Sequence, residues 1–310
     1  MKKVFIDGSA GTTGLRIKER LSQRSDIELI TLSEEMRKDP TARAQALNSC
    51  DIAFLCLPDA AAIEAVNMIE NESVVVLDTS TAHRTQDGWA YGFPELSKEH
   101  FEKVASSKRI AVPGCHASGF IALVYPLIEK GIISPDVFLT CHSITGYSGG
   151  GKKMIADYED SSRSTLLDAP RQYALGQTHK HLPEMKKITG IENEPVFCPI
   201  VSDFYSGMEV TVPLFKNQLN EGFCAEDIKK AYKEKYTGDI VSYCEEPDEG
   251  GFISAGALSY KDSMQISVSG NDDRILLIAR YDNLGKGASG AAIECMNISM
   301  GASPSLMLDI

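Results

Sequence analysis

A short apolar strand that runs into a glycine-rich turn and then into a helix constrains the fold of this chain most. The strand is Val4-Phe5-Ile6-Asp7, and apolar residues recur at helical spacing from Leu15 to Leu21. In the turn between them, Gly8 permits a tight bend, Gly11 lets backbone N–H groups approach a pyrophosphate, and Gly14 lets the helix pack on the strand. The spacing is a variant of the dinucleotide-binding fingerprint, and the alternative is a turn with no ligand. We expect a dinucleotide cofactor to contact every residue of the turn: Gly8, Ser9, Ala10, Gly11, Thr12, Thr13 and Gly14.

The end of the second strand indicates which nicotinamide nucleotide would fit. An acidic residue there would hold a ribose 2′-hydroxyl, but the strand at 27–32 is followed by Ser33, with Arg37 and Lys38 close behind. A hydroxyl and two cations suit a 2′-phosphate, although two glutamates lie between them. The sequence therefore favours NADP over NAD, with contacts from Ser33 and Arg37, and the alternative is a solvated helix start.

Strands and helices alternate through the first third of the chain. A buried strand at 51–58 is followed by a helix at 59–70 and a strand at 73–78. This alternation predicts a Rossmann-type, doubly wound parallel sheet that binds ligands at the carboxyl ends of its strands. Farther along, segments such as 206–213 and 264–270 alternate in polarity and indicate a mixed sheet packed by helices. The predicted class is α/β with a second, α+β domain.

Cys115 lies at a predicted corner between a strand and a helix. The run at 110–112 is strand-like, Pro113 and Gly114 end it, and a helical apolar pattern begins at Phe120. Unpaired N–H groups and the helix dipole stabilise a thiolate at such a position, which makes Cys115 a candidate nucleophile. The alternative is a small apolar side chain that fills the corner.

Composition excludes several classes of partner. The 43 acidic residues outnumber the 31 lysines and arginines, and the net charge of −12 argues against nucleic acid and anionic membranes. No apolar run is long enough to span a bilayer. The eight cysteines show no zinc-ligand spacing and no disulfide framework, so we expect reduced thiols, no metal site and a cytoplasmic protein.

Two further segments carry groups that could bind an anion. Ser80 and Arg84 follow the strand at 73–78, and Lys152 follows the glycine-rich turn at 146–151. A hydroxyl with an arginine, or a turn of backbone N–H groups with a lysine, can hold a phosphate or carboxylate. The alternatives are a capped loop with a surface arginine and a flexible connector. His179 and His181 form a lone His-x-His pair, which is a weak metal signal.

Five motifs spread from residue 8 to residue 288 occur in a specific order. They are Gly8-Ser-Ala-Gly-Thr-Thr-Gly14, Asp78-Thr-Ser-Thr-Ala-His-Arg84, Tyr91-Gly-Phe-Pro-Glu-Leu96, Pro113-Gly-Cys-His-Ala-Ser-Gly119 and Tyr281-Asp-Asn-Leu-Gly-Lys-Gly-Ala288. Together they resemble the N-acetyl-γ-glutamyl-phosphate reductases in their shorter form, which are similar in fold and chemistry to aspartate-semialdehyde dehydrogenase. One departure is that the longer form carries Tyr-Pro-Thr after the cysteine, where this chain has His116-Ala117-Ser118.

The resemblance implies a reaction and a division of the chain. The reaction is NADPH-dependent reduction of an N-acetylglutamyl acyl phosphate to the semialdehyde, with release of phosphate, through a thioester on Cys115 in arginine biosynthesis. It also implies that residues 1–114 and 285–310 bind NADP(H), and that 115–284 form a catalytic and oligomerisation domain of a homodimer or homotetramer. The His-x-His pair would supply the acid/base group, with His179 preferred over His181. Asn283 would lie near the nicotinamide, and Ser80, Arg84 and Lys152 near the substrate.

Two other functions are compatible with the same residues. One is the same chemistry on β-aspartyl phosphate, which depends on pocket length. The other is a non-catalytic NADP-binding redox sensor, in which Cys115 would not be acylated.

Overall fold

In the computed structural model, which describes residues 1–310, the chain divides into two units. The first unit comprises Met1–Gly114 and Ala288–Leu308, and the second comprises Cys115–Gly287 and Asp309–Ile310. The strands are β1 (Lys2–Asp7), β2 (Ile27–Ile30), β3 (Ile52–Leu55), β4 (Val75–Asp78), β5 (Ala90–Tyr91), β6 (Arg109–Ala111), β7 (Thr140–Gly146), β8 (Arg171–Gln172), β9 (Val196–Ser202), β10 (Met208–Phe215), β11 (Val241–Tyr243), β12 (Met264–Gly270) and β13 (Arg274–Tyr281). The helices are α1 (Thr12–Leu21), α2 (Pro40–Ser49), α3 (Asp59–Asn67), α4 (Lys98–Ser106), α5 (Cys115–Glu129), α6 (Gly151–Glu159), α7 (Leu182–Thr189), α8 (Ala225–Lys235) and α9 (Gly290–Ser299).

The sheet of the first unit is entirely parallel, with the strand order β2-β1-β3-β4-β6-β5. Its strands are buried on both faces, because successive side chains of β1 enter two different apolar clusters. Val4 and Ile6 pack in one cluster with residues of α1 and α9, and Phe5 packs in the other with residues of α2 and α3. Two covered faces and near-continuous apolar strands are the signature of a doubly wound sheet, so the predicted fold class is confirmed.

The sheet of the second unit is mixed, with the strand order β11-β12-β13-β10-β7-β9-β8. Strands β11 and β12 are parallel, as are β7 and β9, and the other neighbours are antiparallel. Strand β10 alternates strictly: Met208 and Val210 are buried, whereas Glu209 and Thr211 are half-exposed. Helix α5 contacts β10 and β13 and covers the buried face. The other face, called here the open face, presents Ile144, Cys198, Ile200, Thr211, Pro213 and Leu276.

Helix α5 lies unusually close to the sheet because of Gly119. A Cβ atom at this position would lie 2.6 Å from Cγ2 of Val210 and 2.7 Å from the hydroxyl of Tyr281. The residues from His116 to Val124 are all buried, so the first half of the helix has no solvated side. Pro113 and Gly114 end the preceding strand, and the helix begins at Cys115, as predicted.

No helix in the structure is long and apolar enough to cross a membrane.

The close approach at Gly119 generates a stability prediction. Gly119→Ala should destabilise the protein by about 1–3 kcal/mol through overpacking, which exceeds the gain of roughly 1 kcal/mol that alanine brings inside a helix. Thermal unfolding should show a lower Tm. Gly238→Ala is the control, because the nearest atom to its Cβ position is the Val241 carbonyl oxygen at 3.9 Å. Equal Tm values for the two variants would contradict the packing argument.

Candidate active site

Cys115 is the half-exposed first residue of α5, and the hydroxyl of Tyr281 fixes its backbone. This hydroxyl donates to the Cys115 carbonyl at 2.5 Å and accepts the Gly119 N–H at 3.0 Å. A regular helix would join these two backbone groups directly, so β13 takes part in the first turn of α5. Gly287 packs closely against Cys115, since a Cβ there would lie 3.0 Å from that of Cys115. The cysteine therefore sits at a braced helix start beside a position where a side chain would crowd it.

His116, the next residue, is buried and hydrogen bonded at both ring nitrogens. Its Nδ1 lies 2.6 Å from the Ser143 hydroxyl, and its Nε2 lies 2.6 Å from the Tyr173 hydroxyl. Burial, together with the nearby His179, lowers the pKa of His116 to about 3. The imidazole is therefore neutral near pH 7, with one nitrogen that donates and one that accepts.

The histidine pair singled out in the sequence lies around His116. The ring centres of His179 and His181 are 5.9 Å and 5.7 Å from that of His116, and 4.7 Å from each other. His181 is buried just before α7, and its backbone N–H donates to Nδ1 of the half-exposed His179. The structure thus brings both histidines beside the neighbour of Cys115. These residues with Tyr173 form what is called below the cysteine–histidine cluster: Cys115, His116, Tyr173, His179 and His181.

Sequence reasoning missed three members of this site: His116, Tyr173 and Tyr281. His116 stands inside the cysteine motif, and Tyr281 opens the last of the five motifs, so both lay in recognisable segments. Tyr173 lay in no motif, and only the order of the strands in the sheet shows that it reaches this place. Burial and the neighbouring negative charge of Cys115 raise the pKa of both tyrosines, which keeps their hydroxyls protonated.

Asn283 contacts the glycine-rich segment that follows β7, and Lys152 comes directly after this segment in the chain. The Asn283 side chain donates to the Ser148 hydroxyl at 3.0 Å and accepts the Gly207 N–H at 2.9 Å, so its amide links this segment to the residue before β10. Lys152 is exposed in the first turn of α6. This gives Asn283 a bracing contact that the sequence did not suggest.

The glycine turn of the first unit is tightly packed at two of its three glycines. Gly8 has a φ of +86°, and a Cβ there would lie 2.2 Å from the Cys56 carbonyl oxygen, so only glycine fits. The Gly11 N–H donates to the Gly8 carbonyl, and α1 begins at Thr12, so the Thr12, Thr13 and Gly14 N–H groups belong to its first turn. A Cβ at Gly14 would meet the Gly8 carbonyl oxygen at 2.5 Å, so this glycine packs against the turn rather than the strand.

A cavity of about 330 Å³ opens beside this turn. Its lining includes Gly8, Ser9 and Ala10 from the turn and the cations Arg37 and Lys38. Arg37 is paired with Glu34 at 2.6 Å, and Ser33 accepts the Met36 N–H at 3.3 Å on the surface. A lining that combines basic side chains with a glycine turn fits a phosphorylated dinucleotide.

Ser80 and Arg84 are buried in a network at the end of β4. The Ser80 hydroxyl donates to Asp78 at 2.7 Å, and the Arg84 guanidinium donates to the carbonyl groups of Val112 and Thr79, each at 2.9 Å. Asp78 also contacts His83 at 2.6 Å. The structure therefore engages both predicted anion contacts with neighbouring groups of the first unit, at the ends of β4 and β6.

Comparisons with known proteins agree over the whole chain. The semialdehyde dehydrogenase NAD binding domain matches residues 3–104, and the semialdehyde dehydrogenase dimerisation domain matches residues 115–283. N-acetyl-gamma-glutamyl-phosphate reductase 2 of Nostoc sp. is 43% identical, with 99% of each chain covered. The N-acetyl-gamma-glutamyl-phosphate reductase of Chelativorans sp. is 44% identical, with 96% of this chain and 98% of the relative covered.

Solved structures share the fold at much lower identity. Aspartate semialdehyde dehydrogenase II of Vibrio cholerae, complexed with ASA, has a TM-score of 0.72 at 16% identity and covers 97% of this chain and 98% of its own. The Candida albicans aspartate semialdehyde dehydrogenase with NADP has a TM-score of 0.68 at 18% identity, with 96% and 98% covered. The sequence matches decide the family: this chain belongs to the semialdehyde dehydrogenases and, among them, to the N-acetyl-γ-glutamyl-phosphate reductases.

Proposed function

We propose that this chain catalyses the NADPH-dependent reductive dephosphorylation of N-acetyl-γ-glutamyl phosphate to N-acetylglutamate 5-semialdehyde. The observation that carries the proposal is the cysteine–histidine cluster at the start of α5, in a chain of this family. NADPH, held by the turn at Gly8–Gly14, would supply the hydride that reduces the acyl carbon.

Cys115 is the proposed nucleophile. Its thiolate attacks the γ-acyl carbon, the bond from that carbon to the phosphate oxygen breaks, and phosphate leaves with the bonding electrons. Reduction of the resulting thioester would leave a thiohemiacetal whose oxygen takes a proton from the acid/base histidine and returns it as the carbon–sulfur bond breaks, which releases the aldehyde and the Cys115 thiolate. The helix start favours the thiolate in both the attack and the release.

Proton transfer is assigned to one histidine of the His179/His181 pair, and His116 takes no part in it. Histidine suits this role because its ordinary pKa lies near neutral pH. We assign the acid/base role to one of His179 and His181, and the orientation of substrate to the other. His116 keeps both nitrogens in hydrogen bonds and stays neutral, so it acts as a positioning residue that orients the Tyr173 hydroxyl.

The role of each predicted anion contact follows from whether its polar group is exposed or already hydrogen bonded. Lys152 is exposed at the start of α6, where the peptide dipoles add positive potential, and it is the proposed contact for the phosphate group. Ser80 and Arg84 would act by holding the loop after β4 in place, since Ser80 donates to Asp78 and Arg84 donates to the Val112 and Thr79 carbonyl groups. Asn283, the proposed contact near the nicotinamide, would act through the segment at Ser148 that it holds.

The open face of the second unit supports a homo-oligomer, either a dimer or a tetramer. The half-exposed Ile144 and Ile200 are paired with each other on this face, and the exposed Leu276 lies on the same face two strands from Ile144. Residues 115–283 also match a domain described as a dimerisation domain. We place the enzyme in the cytoplasm, which agrees with eight cysteines that form no disulfide.

Turnover tests the proposal directly. Wild-type protein should reduce NADP in the presence of N-acetylglutamate semialdehyde only when phosphate is added, and should prefer this aldehyde to aspartate semialdehyde. Cys115→Ser should lower kcat by at least about 1000-fold, because the hydroxyl is a far weaker nucleophile at neutral pH. Cys244→Ser, a half-buried cysteine outside the cluster, is the control and should keep wild-type activity. NADP binding without turnover of either aldehyde would favour the sensor instead.

Coenzyme preference tests the assignment of Arg37. Arg37→Gln should raise the KM for NADP about tenfold, because a charge-assisted contact to the 2′-phosphate is lost, and should leave the KM for NAD nearly unchanged. Glu34→Gln frees Arg37 from its ion pair and should not weaken NADP binding. Equal effects of Arg37→Gln on both coenzymes would contradict the assignment.

The neutral state of His116 predicts a pH dependence of stability. Because the pKa is near 6.5 in the unfolded chain and about 3 in the folded one, the unfolded state takes up the proton first as pH falls. Stability should therefore be lost from pH 6.5 downwards, whereas His116→Gln has no such group. Denaturant unfolding should show the wild type losing about 2 kcal/mol more than the variant between pH 7.5 and pH 5. Parallel losses in the two proteins would show that His116 titrates normally.

A further inference from the structure

We propose that Arg171 binds the α-carboxylate of the substrate and so selects a glutamyl over an aspartyl chain. The inference rests on the proposed function and names the part of the site that recognises the end of the substrate away from the reacting carbon. Three observations carry it: the face of the sheet on which Arg171 lies, the state of its charge, and its spacing from Tyr173.

Arg171 lies on the face of the sheet that α5 covers. In the antiparallel pair of β8 and β9, Arg171 is opposite Val201, and the Tyr173 N–H continues the pairing by donating to the Pro199 carbonyl. Residues opposite each other in such a pair project to the same face. Val201 and Pro199 are buried on the face that α5 covers. Arg171 and Tyr173 therefore point to that face as well, where the cysteine–histidine cluster lies.

The charge of Arg171 has no acidic partner. Its Nε and Nη2 atoms donate to the hydroxyl of Tyr158 at 3.3 Å and 3.0 Å, and its guanidinium carbon lies 5.3 Å from the centre of that ring. No carboxylate lies among its contacts. Tyr158 is itself buried, packs against Tyr173, and stacks on Tyr147 with ring centres 4.7 Å apart. The half-buried cation is therefore held in a fixed place by neutral groups.

Arg163, which contacts the same tyrosine ring as Arg171, is a structural arginine and serves as a comparison. It lies 5.9 Å from the same Tyr158 ring, but its guanidinium donates to both oxygens of Asp203 and to Asp168, at 2.6–2.9 Å. Those carboxylates neutralise it and raise its pKa. A half-buried charge is costly without such partners, and an incoming carboxylate would supply them at Arg171 by a bidentate contact.

The spacing fits the proposed substrate. Side chains two residues apart on a strand are separated by about 7 Å, and the Tyr173 hydroxyl marks the reacting end, because it contacts His116 beside Cys115. In a glutamyl chain the carboxylate carbon and the reacting carbon are joined by four bonds and lie about 5 Å apart when extended. The long arginine side chain can span the difference, whereas an aspartyl chain is one bond shorter. Arg171 is therefore placed to distinguish the two lengths.

Two aldehydes separate recognition of the carboxylate from any general damage. They are N-acetylglutamate semialdehyde and 4-acetamidobutanal, which is the same molecule without the α-carboxylate. Arg171→Gln should lower kcat/KM for the first about 10- to 100-fold, the range expected for a lost hydrogen bond to a charged group. It should change kcat/KM for the second by no more than about threefold, so the ratio of the two values falls. The effect should lie mainly in KM, and Arg171→Lys should recover part of it.

The controls make the result decisive. Arg163→Gln disturbs the same tyrosine cluster and should lower both kcat/KM values by the same factor, leaving the ratio unchanged. An equal loss on both aldehydes in Arg171→Gln, or no loss on either, overturns the assignment, and unchanged Tm values exclude unfolding as the cause. Failure of the proposed function is a different result, namely a wild-type protein that turns over neither aldehyde with NADP and phosphate.

Discussion

The close approach of α5 to the mixed sheet is the constraint on which the second unit depends. Because Gly119 has no side chain, the helix can lie against Val210 and the Tyr281 hydroxyl, and that hydroxyl can bridge the first turn. The bridge fixes the backbone of Cys115, and the same approach places His116 between Ser143 and Tyr173. A helix held farther from the sheet would lose all of these hydrogen bonds together, because each needs a side chain of the sheet to reach the helix start.

The side chains that position the cysteine and its neighbour are neutral, so they are distinct from the groups that transfer protons. Tyr173 and Tyr281 keep their protons, and burial keeps His116 uncharged, so none of the three changes state near neutral pH. The thiol and the histidine pair are the members of the cluster to which the proposed mechanism assigns nucleophilic attack and proton transfer. Braced, uncharged side chains cost little reorganisation when negative charge moves from sulfur to oxygen during the reaction. The cluster thus has a rigid neutral part and a small reactive part.

Local patterns predicted more of the fold than of the site. The alternation of strands and helices was enough for the parallel sheet, and the pattern around Pro113 and Gly114 was enough for the corner at Cys115, because both depend on neighbours in the chain. Tyr173 and Arg171 could not be found in this way. Strand β8 has only two residues, and only its pairing with β9 determines which face their side chains occupy. After the last motif, a wider turn at Gly285–Ser289 precedes helix α9, which begins at Gly290, and the Asp282 carboxylate accepts the Leu284 and Gly285 N–H groups.

Register explains why residues so far apart in sequence act together. Two neighbouring rows cross the sheet from β8 to β13. The first row is Arg171, Val201, Thr145, Met208 and Tyr281, and the second is Tyr173, Pro199, Ser143, Val210 and Ala279. In the first row, Tyr281 at one end holds the Cys115 backbone, and Arg171, which has no acidic partner, stands at the other end. In the second row, Ser143 at the centre contacts His116. A slip of one residue between any two strands would turn a whole side-chain set to the open face. The buried alternation of β10 prevents that slip, so the apolar pattern that stabilises the sheet also places the chemical groups.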